Sequence, residues 1–147
     1  MKNRALLMDC HIRELKDFVK KHDLGSKLKV CNERDLKAIK ASYPDIPEDF
    51  LAVLAHLGWG SYGNDSFMIY NGLLEPSDIF DDETANEMSG YLFLGDDFSG
   101  WMFGYDTTCV PWKILLFDHN ECLPQGENRP TTISEFIFSE LRMYLSD

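Results

Sequence analysis

The sequence predicts an α+β domain: an antiparallel sheet of four to six strands, with N-terminal helices and a C-terminal helix packed against it. Three observations carry this expectation. Apolar residues recur at helical spacing before Gly58 and again after Thr132. Between them lie consecutive segments rich in β formers, parted by Gly, Asp, Asn and Pro. Strands that follow one another through short turns favour antiparallel pairing, with the flanking helices laid on the sheet.

The first helix is expected where Leu6, Leu7, Cys10, Leu15, Phe18 and Val19 recur between charged residues, with Gly25 as its stop. Asn32 is placed to cap a second, short helix that buries Leu36 and Ile39 and ends near Tyr43-Pro44. Ile46-Pro47-Glu48-Asp49 opens a third. Pro loses nothing in a first turn, and the two acids suit the positive end of the helix dipole. Phe50, Leu51, Leu54 and Leu57 form its apolar face, and Gly58 closes it as a left-handed cap. Strands are expected at Phe67–Leu74, Tyr91–Gly95, Trp101–Asp106 and Lys113–Asp118, with Asn71-Gly72 marking a bend or turn. Asp96–Gly100 is a turn between two of them, and Pro76–Glu83 reads as a short acidic helix. Thr132-x-x-Glu135 is a capping box for the last helix, whose stripe is Ile133, Phe136, Ile137, Leu141, Tyr144 and Leu145.

The 147 residues make one domain, 1–147, with no repeat or linker. A composition that is 44% hydrophobic can bury a core without a disulfide or metal. Cys10, Cys31, Cys109 and Cys122 form no C-x-x-C pair and fit no zinc spacing. His11, His22, His56 and His119 have no His or Cys neighbour at ligand spacing, so no metal and no cofactor is expected. Nucleophile signatures of the G-x-S-x-G or catalytic-Cys kind are absent, and no enzymatic activity is expected. Ala5–Met8 is too short for the apolar core of an export signal, and no run reaches membrane-spanning length, so a cytoplasmic protein with reduced thiols is expected.

Charge is the main functional signal. The net charge is -11, and it is unevenly distributed. Residues 1–41 hold 11 Lys+Arg against 6 Asp+Glu, whereas residues 42–147 hold 3 against 19. No Lys or Arg lies between Lys40 and Lys113, a stretch with 13 carboxylates. Such a field repels phosphate backbones, which argues against nucleic acid, and attracts a basic protein partner. Gly58-Trp59-Gly60-Ser61-Tyr62-Gly63 matches G-x-G-x-x-G, but it follows a helix and precedes a strand, the reverse of a dinucleotide loop. It is a helix cap and turn, with Trp59 and Tyr62 placed where a partner could reach them. Asp81-Asp82-Glu83 and Asp96-Asp97 lack the alternating ligands and glycine of a calcium loop. Trp59, Tyr62, Asp65, Asp81, Asp82, Glu83, Asp96 and Asp97 are therefore the expected partner-binding residues, chosen for charge and exposure.

Several of these segments together resemble the SUKH superfamily. Ile46-Pro47-Glu48-Asp49-Phe50 running to the Gly58–Gly63 turn is similar to its opening helix and Gly-rich turn. Leu94-Gly95-Asp96-Asp97-Phe98-Ser99-Gly100 followed by Phe103-Gly104-Tyr105-Asp106 resembles its second signature, and Ile114–Asp118 with the helix from Ile133 completes the order over roughly residues 32–145. The resemblance implies an α+β fold and an immunity protein of a bacterial polymorphic toxin system, which binds and neutralises a cognate toxin domain, often a basic nuclease. Fungal relatives, which act as hubs in cell-wall signalling, give the alternative of a non-catalytic scaffold or regulatory module. Gly95, Gly100 and Asp106 are read as keeping the fold.

Overall fold

Residues 2–118, 124–125 and 132–146 are described by a computed structural model, with side chains for residues 10–118 and 132–146. Helix α1 spans Lys2–Lys21, α2 Glu33–Ser42, α3 Glu48–His56, α4 Asp82–Glu87 and α5 Ile133–Ser146. Strands β1 Gly60–Tyr62, β2 Phe67–Leu74, β3 Tyr91–Asp96, β4 Trp101–Asp106, β5 Lys113–Asp118 and β6 Pro124–Gln125 form one antiparallel meander in chain order. The α+β architecture expected from the sequence is the one observed.

Helices α1, α3 and α5 lie on one face of this sheet. Ile12, Leu15 and Val19 of α1 recur at three- and four-residue intervals and are buried. They join Phe50, Val53 and Leu54 of α3 and Phe136, Ile137 and Leu141 of α5 over Tyr62, Phe67, Ile69, Leu92, Leu94, Phe103, Tyr105 and Ile114. Alternate residues of the same strands point to the opposite face. There Phe93, Met102 and Phe117 gather beneath Met88, Ile79 and Phe80, so the connection from β2 to β3 covers the second face. The rings of Phe93 and Phe117 meet edge to face at 5.2 Å. Gly104 makes this possible: a Cβ there would come within 2.9 Å of the Phe117 ring.

Several boundaries differ from the expectation. Cys10 is exposed and Ile12 takes the inward position on α1. That helix ends at Lys21, before Gly25, because Asp23 supplies the left-handed conformation with φ 52°. Leu36 and Ile39 pack against the core only partly, and α2 buries no residue fully. Asn32 does cap it, accepting the Asp35 N–H at 2.8 Å. Pro47 stands just outside α3, at its N-cap. Asn71-Gly72 does not turn the chain. The β2–β3 register shifts between Ile69 and Leu74 instead, a bulge inside one strand. Pro76–Glu83 is not one helix: a 3-10 turn at Pro76–Asp78 stops, and Asp81 caps α4 by accepting the Thr84 N–H at 2.8 Å. β1 and β6 were not expected as strands. Leu6 and Leu7 lie outside the described side chains, and His119 and Cys122 outside the described residues.

The last helix is started by two parts of the chain. The Thr132 hydroxyl accepts the Glu135 N–H at 3.2 Å, the local half of the expected box. The other cap comes from 85 residues away. Asp49, in the first turn of α3, accepts both the Ser134 N–H and the Ser134 hydroxyl at 2.8 Å. Asp49 is only 8% exposed. It stands in the first turn of α3, as expected, and it also ties α3 to α5.

Candidate functional site

The eight residues expected to meet a partner fall into four places. Trp59 and Tyr62 belong to the turn after α3, where Gly58, Gly60 and Gly63 all take positive φ, at 113°, 117° and 62°. Trp59 and Lys29 exchange both backbone hydrogen bonds, at 2.8 and 3.0 Å. The Lys29 ammonium lies 5.9 Å from the Trp59 ring centroid, so the half-buried indole is stapled to the segment before α2.

Tyr62 contradicts the expectation of an exposed contact. It is fully buried, its ring stacks on Phe67 at 5.3 Å, and its hydroxyl donates to the Gly58 carbonyl at 2.6 Å. Along β1 it is Ser61 that faces outward, and Tyr62 that points into the core, as a two-residue period requires. Tyr62 thus holds the glycine turn shut from within. Tyr62→Phe leaves the Gly58 carbonyl unpaired in the core and is expected to cost about 1–2 kcal/mol, read from the urea midpoint, with partner affinity unchanged.

Asp65 closes the β1–β2 turn at φ 61°. Both its oxygens lie 3.0 Å from the Lys27 ammonium, and one accepts the Ser61 hydroxyl at 2.6 Å. That hydroxyl, and then Lys27, hold its carboxyl below the usual range. A cleft of about 340 Å³ beside this pair is lined by His22, Ser26, Lys27, Ser61, Asn64 and Tyr144 among others.

Asp96 ends β3, Asp97 follows it, and both are half-buried. Asp96 accepts the Tyr70 hydroxyl at 2.7 Å and the Phe98 N–H at 2.9 Å. Asp97 accepts the Ser99 N–H and hydroxyl, each at 2.9 Å, and the Trp101 N–H at 3.1 Å. Both carboxylates are engaged in shaping the hairpin between β3 and β4. Asp106 shapes the next connection in the same manner, through the Thr108 N–H at 2.9 Å and the Thr108 hydroxyl.

Asp81, Asp82 and Glu83 stand exposed at the start of α4. They lie in the connection that leaves β2 at Leu74 and enters β3 at Tyr91, while Asp96 is at the far end of β3. The acids therefore do not form one continuous patch. α4 turns Ile79, Phe80 and Met88 around it into the sheet and presents Asp82, Glu83 and Glu87 to solvent. None of these three has an ion-pair partner among the described residues, whose ion pairs are Lys27–Asp65, Lys37–Glu33 and Lys40–Glu48.

From the sequence, Trp101 opens a strand and Phe98 lies in a turn, and neither is among the expected partner contacts. In the structure Phe98 is 53% and Trp101 38% exposed, the first in the β3–β4 turn and the second at the start of β4. The available signal was an apolar ring inside an otherwise polar five-residue turn, Asp-Asp-Phe-Ser-Gly.

A groove of about 510 Å³ between α1 and α5 is lined by His11, Glu14, Ser134, Glu135, Phe138, Ser139 and Arg142. Asp49 lies beneath Ser134 and does not line it. Among the described residues no group of three or more His, Cys, Asp or Glu could hold a metal ion, and no helix is long and apolar enough to cross a membrane. The chain matches no family model, no curated protein and no solved structure.

Proposed function

We propose that this chain is a non-catalytic binding protein that captures and neutralises a basic protein domain. The resemblance to SUKH immunity proteins suggests a cytoplasmic role against a cognate toxin, with a nuclease-type domain as the basic partner. The observation that carries the reading is the charge layout. Thirteen carboxylates and no Lys or Arg lie between Lys40 and Lys113. The basic N-terminal segment offsets this at only two described points, Lys27–Asp65 and Lys40–Glu48. The acidic face of α4 is left uncompensated among the described residues. A field of that kind accelerates encounter with a cationic surface and repels acidic competitors.

The test is calorimetry of the purified chain with each basic domain encoded by an adjacent gene, at two salt concentrations. The reading expects tight 1:1 binding that weakens as salt rises. Absence of binding to any neighbouring product, or affinity indifferent to salt, would overturn it.

A further inference from the structure

At the tip of the β3–β4 hairpin the carboxylates are tied to the backbone and two aromatic rings are exposed. Asp97 holds Ser99 and Trp101 through its side chain, and its own N–H donates to the Trp101 carbonyl at 3.0 Å. Asp96 holds the Phe98 N–H from one side and the Tyr70 hydroxyl from the other. Inside this frame Phe98 takes a φ of 65°, a region that large L residues seldom occupy. Neither Phe98 nor Trp101 belongs to the hydrophobic clusters on the two sheet faces. The core thus gains little from either ring, and the fold sustains an unfavourable backbone conformation with a phenyl group held in water.

We infer that Phe98 and Trp101 are the aromatic anchors that grip the basic partner, and that Asp96 and Asp97 act by positioning them. The inference rests on the binding function proposed above and names its contact surface. Large rigid rings are the side chains that most often dominate binding energy, and a loop already locked by hydrogen bonds loses little entropy when its rings are buried. The partner's chemistry follows from the surroundings. Asp96 and Asp97 directly precede Phe98, and the stretch between Lys40 and Lys113 holds 13 carboxylates and no Lys or Arg. An apolar cleft rimmed by Lys or Arg complements this surface. A second copy of the chain, with net charge -11, does not.

The probe is a basic domain encoded by an adjacent gene that binds the wild-type chain, titrated against wild type, Phe98→Ala, Trp101→Ala, Asp97→Ala and Asp97→Asn. Circular dichroism and thermal melting confirm that each variant folds. Phe98→Ala and Trp101→Ala are each expected to weaken binding about 30-fold, mainly through faster dissociation. Asp97→Ala should weaken it comparably by releasing the loop. Asp97→Asn, which keeps an acceptor oxygen without the charge, should stay within a few-fold of wild type. If wild type binds and both aromatic variants bind within twofold of it, the inference is overturned while the binding function stands. Loss of affinity in Asp97→Asn with none in Phe98→Ala would make Asp97 a charge contact and overturn it too. Absence of wild-type binding removes the function itself and the inference with it. Sedimentation showing a dimer that Phe98→Ala dissociates would overturn it by making a second copy the occupant.

Discussion

Asp49→Ala is expected to cost about 2–3 kcal/mol of folding stability, because it strips the acceptor from the Ser134 N–H and hydroxyl in a buried place. The Thr132 hydroxyl, 3.3 Å from that of Ser134, can recover part of the loss but cannot reach the amide role of Asp49. Asp49→Asn retains an acceptor oxygen and should differ from wild type by about 1 kcal/mol or less at neutral pH. The pH dependence separates these contributions. Burial raises the Asp49 carboxyl above its ordinary value, and the two bonds from Ser134 bring it only part of the way back. Glu135 of α5 pushes in the same direction as burial and His11 of α1 in the opposite one, while the buried Tyr105 of β4 also feels the Asp49 charge. The folded protein therefore holds this proton more tightly than the unfolded chain. The stability it contributes is fully present below the ordinary carboxylate pKa of about 4 and is lost as pH rises through the raised folded value. Urea midpoints of wild type and Asp49→Asn across this window should show wild type losing ground to the asparagine variant as pH increases. Wild type gaining ground instead would mean that the Ser134 bonds outweigh burial.

Gly95→Ala is expected to cost about 3 kcal/mol or more, the upper end of overpacking penalties. Gly95 pairs with Ile69 on one side and Phe103 on the other, at the point where β3 carries one extra residue against β4. A Cβ there would run into the Met68 carbonyl and press on Phe103 at 3.1 Å. The carbonyl is backbone and cannot swing aside, so the sheet would have to open. Gly100 provides the contrast. It has φ 113° and no atom within 4 Å of a built Cβ, so Gly100→Ala pays only in backbone strain, about 1–2 kcal/mol. Chemical denaturation of the two variants checks the ordering. Equal losses would show that the sheet relieves the Met68 contact at little cost.

The elements most legible in the sequence were those with local signals. Asn32 and Thr132 cap where their spacing to Asp35 and Glu135 says they should, and the bounds of β4 and β5 follow from their β formers and flanking turns. Tyr62 was misplaced because a three-residue edge strand inside a Gly-rich segment offers too few residues for an alternating pattern to be visible. Asp49 looked like an ordinary first-turn acid, since nothing local reveals a partner 85 residues away. Cover on both sheet faces was foreshadowed by the runs Leu92-Phe93-Leu94 and Ile114-Leu115-Leu116-Phe117, whose lack of alternation is what two-sided burial demands. Of the candidate contacts, charge alone identified Asp82 and Glu83, whose exposure the structure bears out. It also selected Asp96 and Asp97, because composition does not distinguish a carboxylate facing water from one turned back onto its own loop.

Under the proposed function, uncompensated acids steer a basic partner onto this chain. The most direct test of this steering is the association rate of a basic domain that binds the chain, with wild type and with an Asp82→Lys, Glu83→Lys double variant, by stopped flow over a range of ionic strength. Both residues are exposed and outside the capping bond that Asp81 makes, so the variant should fold normally. The account predicts association slowed at least about tenfold at low salt, a flatter dependence on ionic strength, and a dissociation rate changed by less than about threefold. An association rate and salt dependence identical to wild type would contradict it.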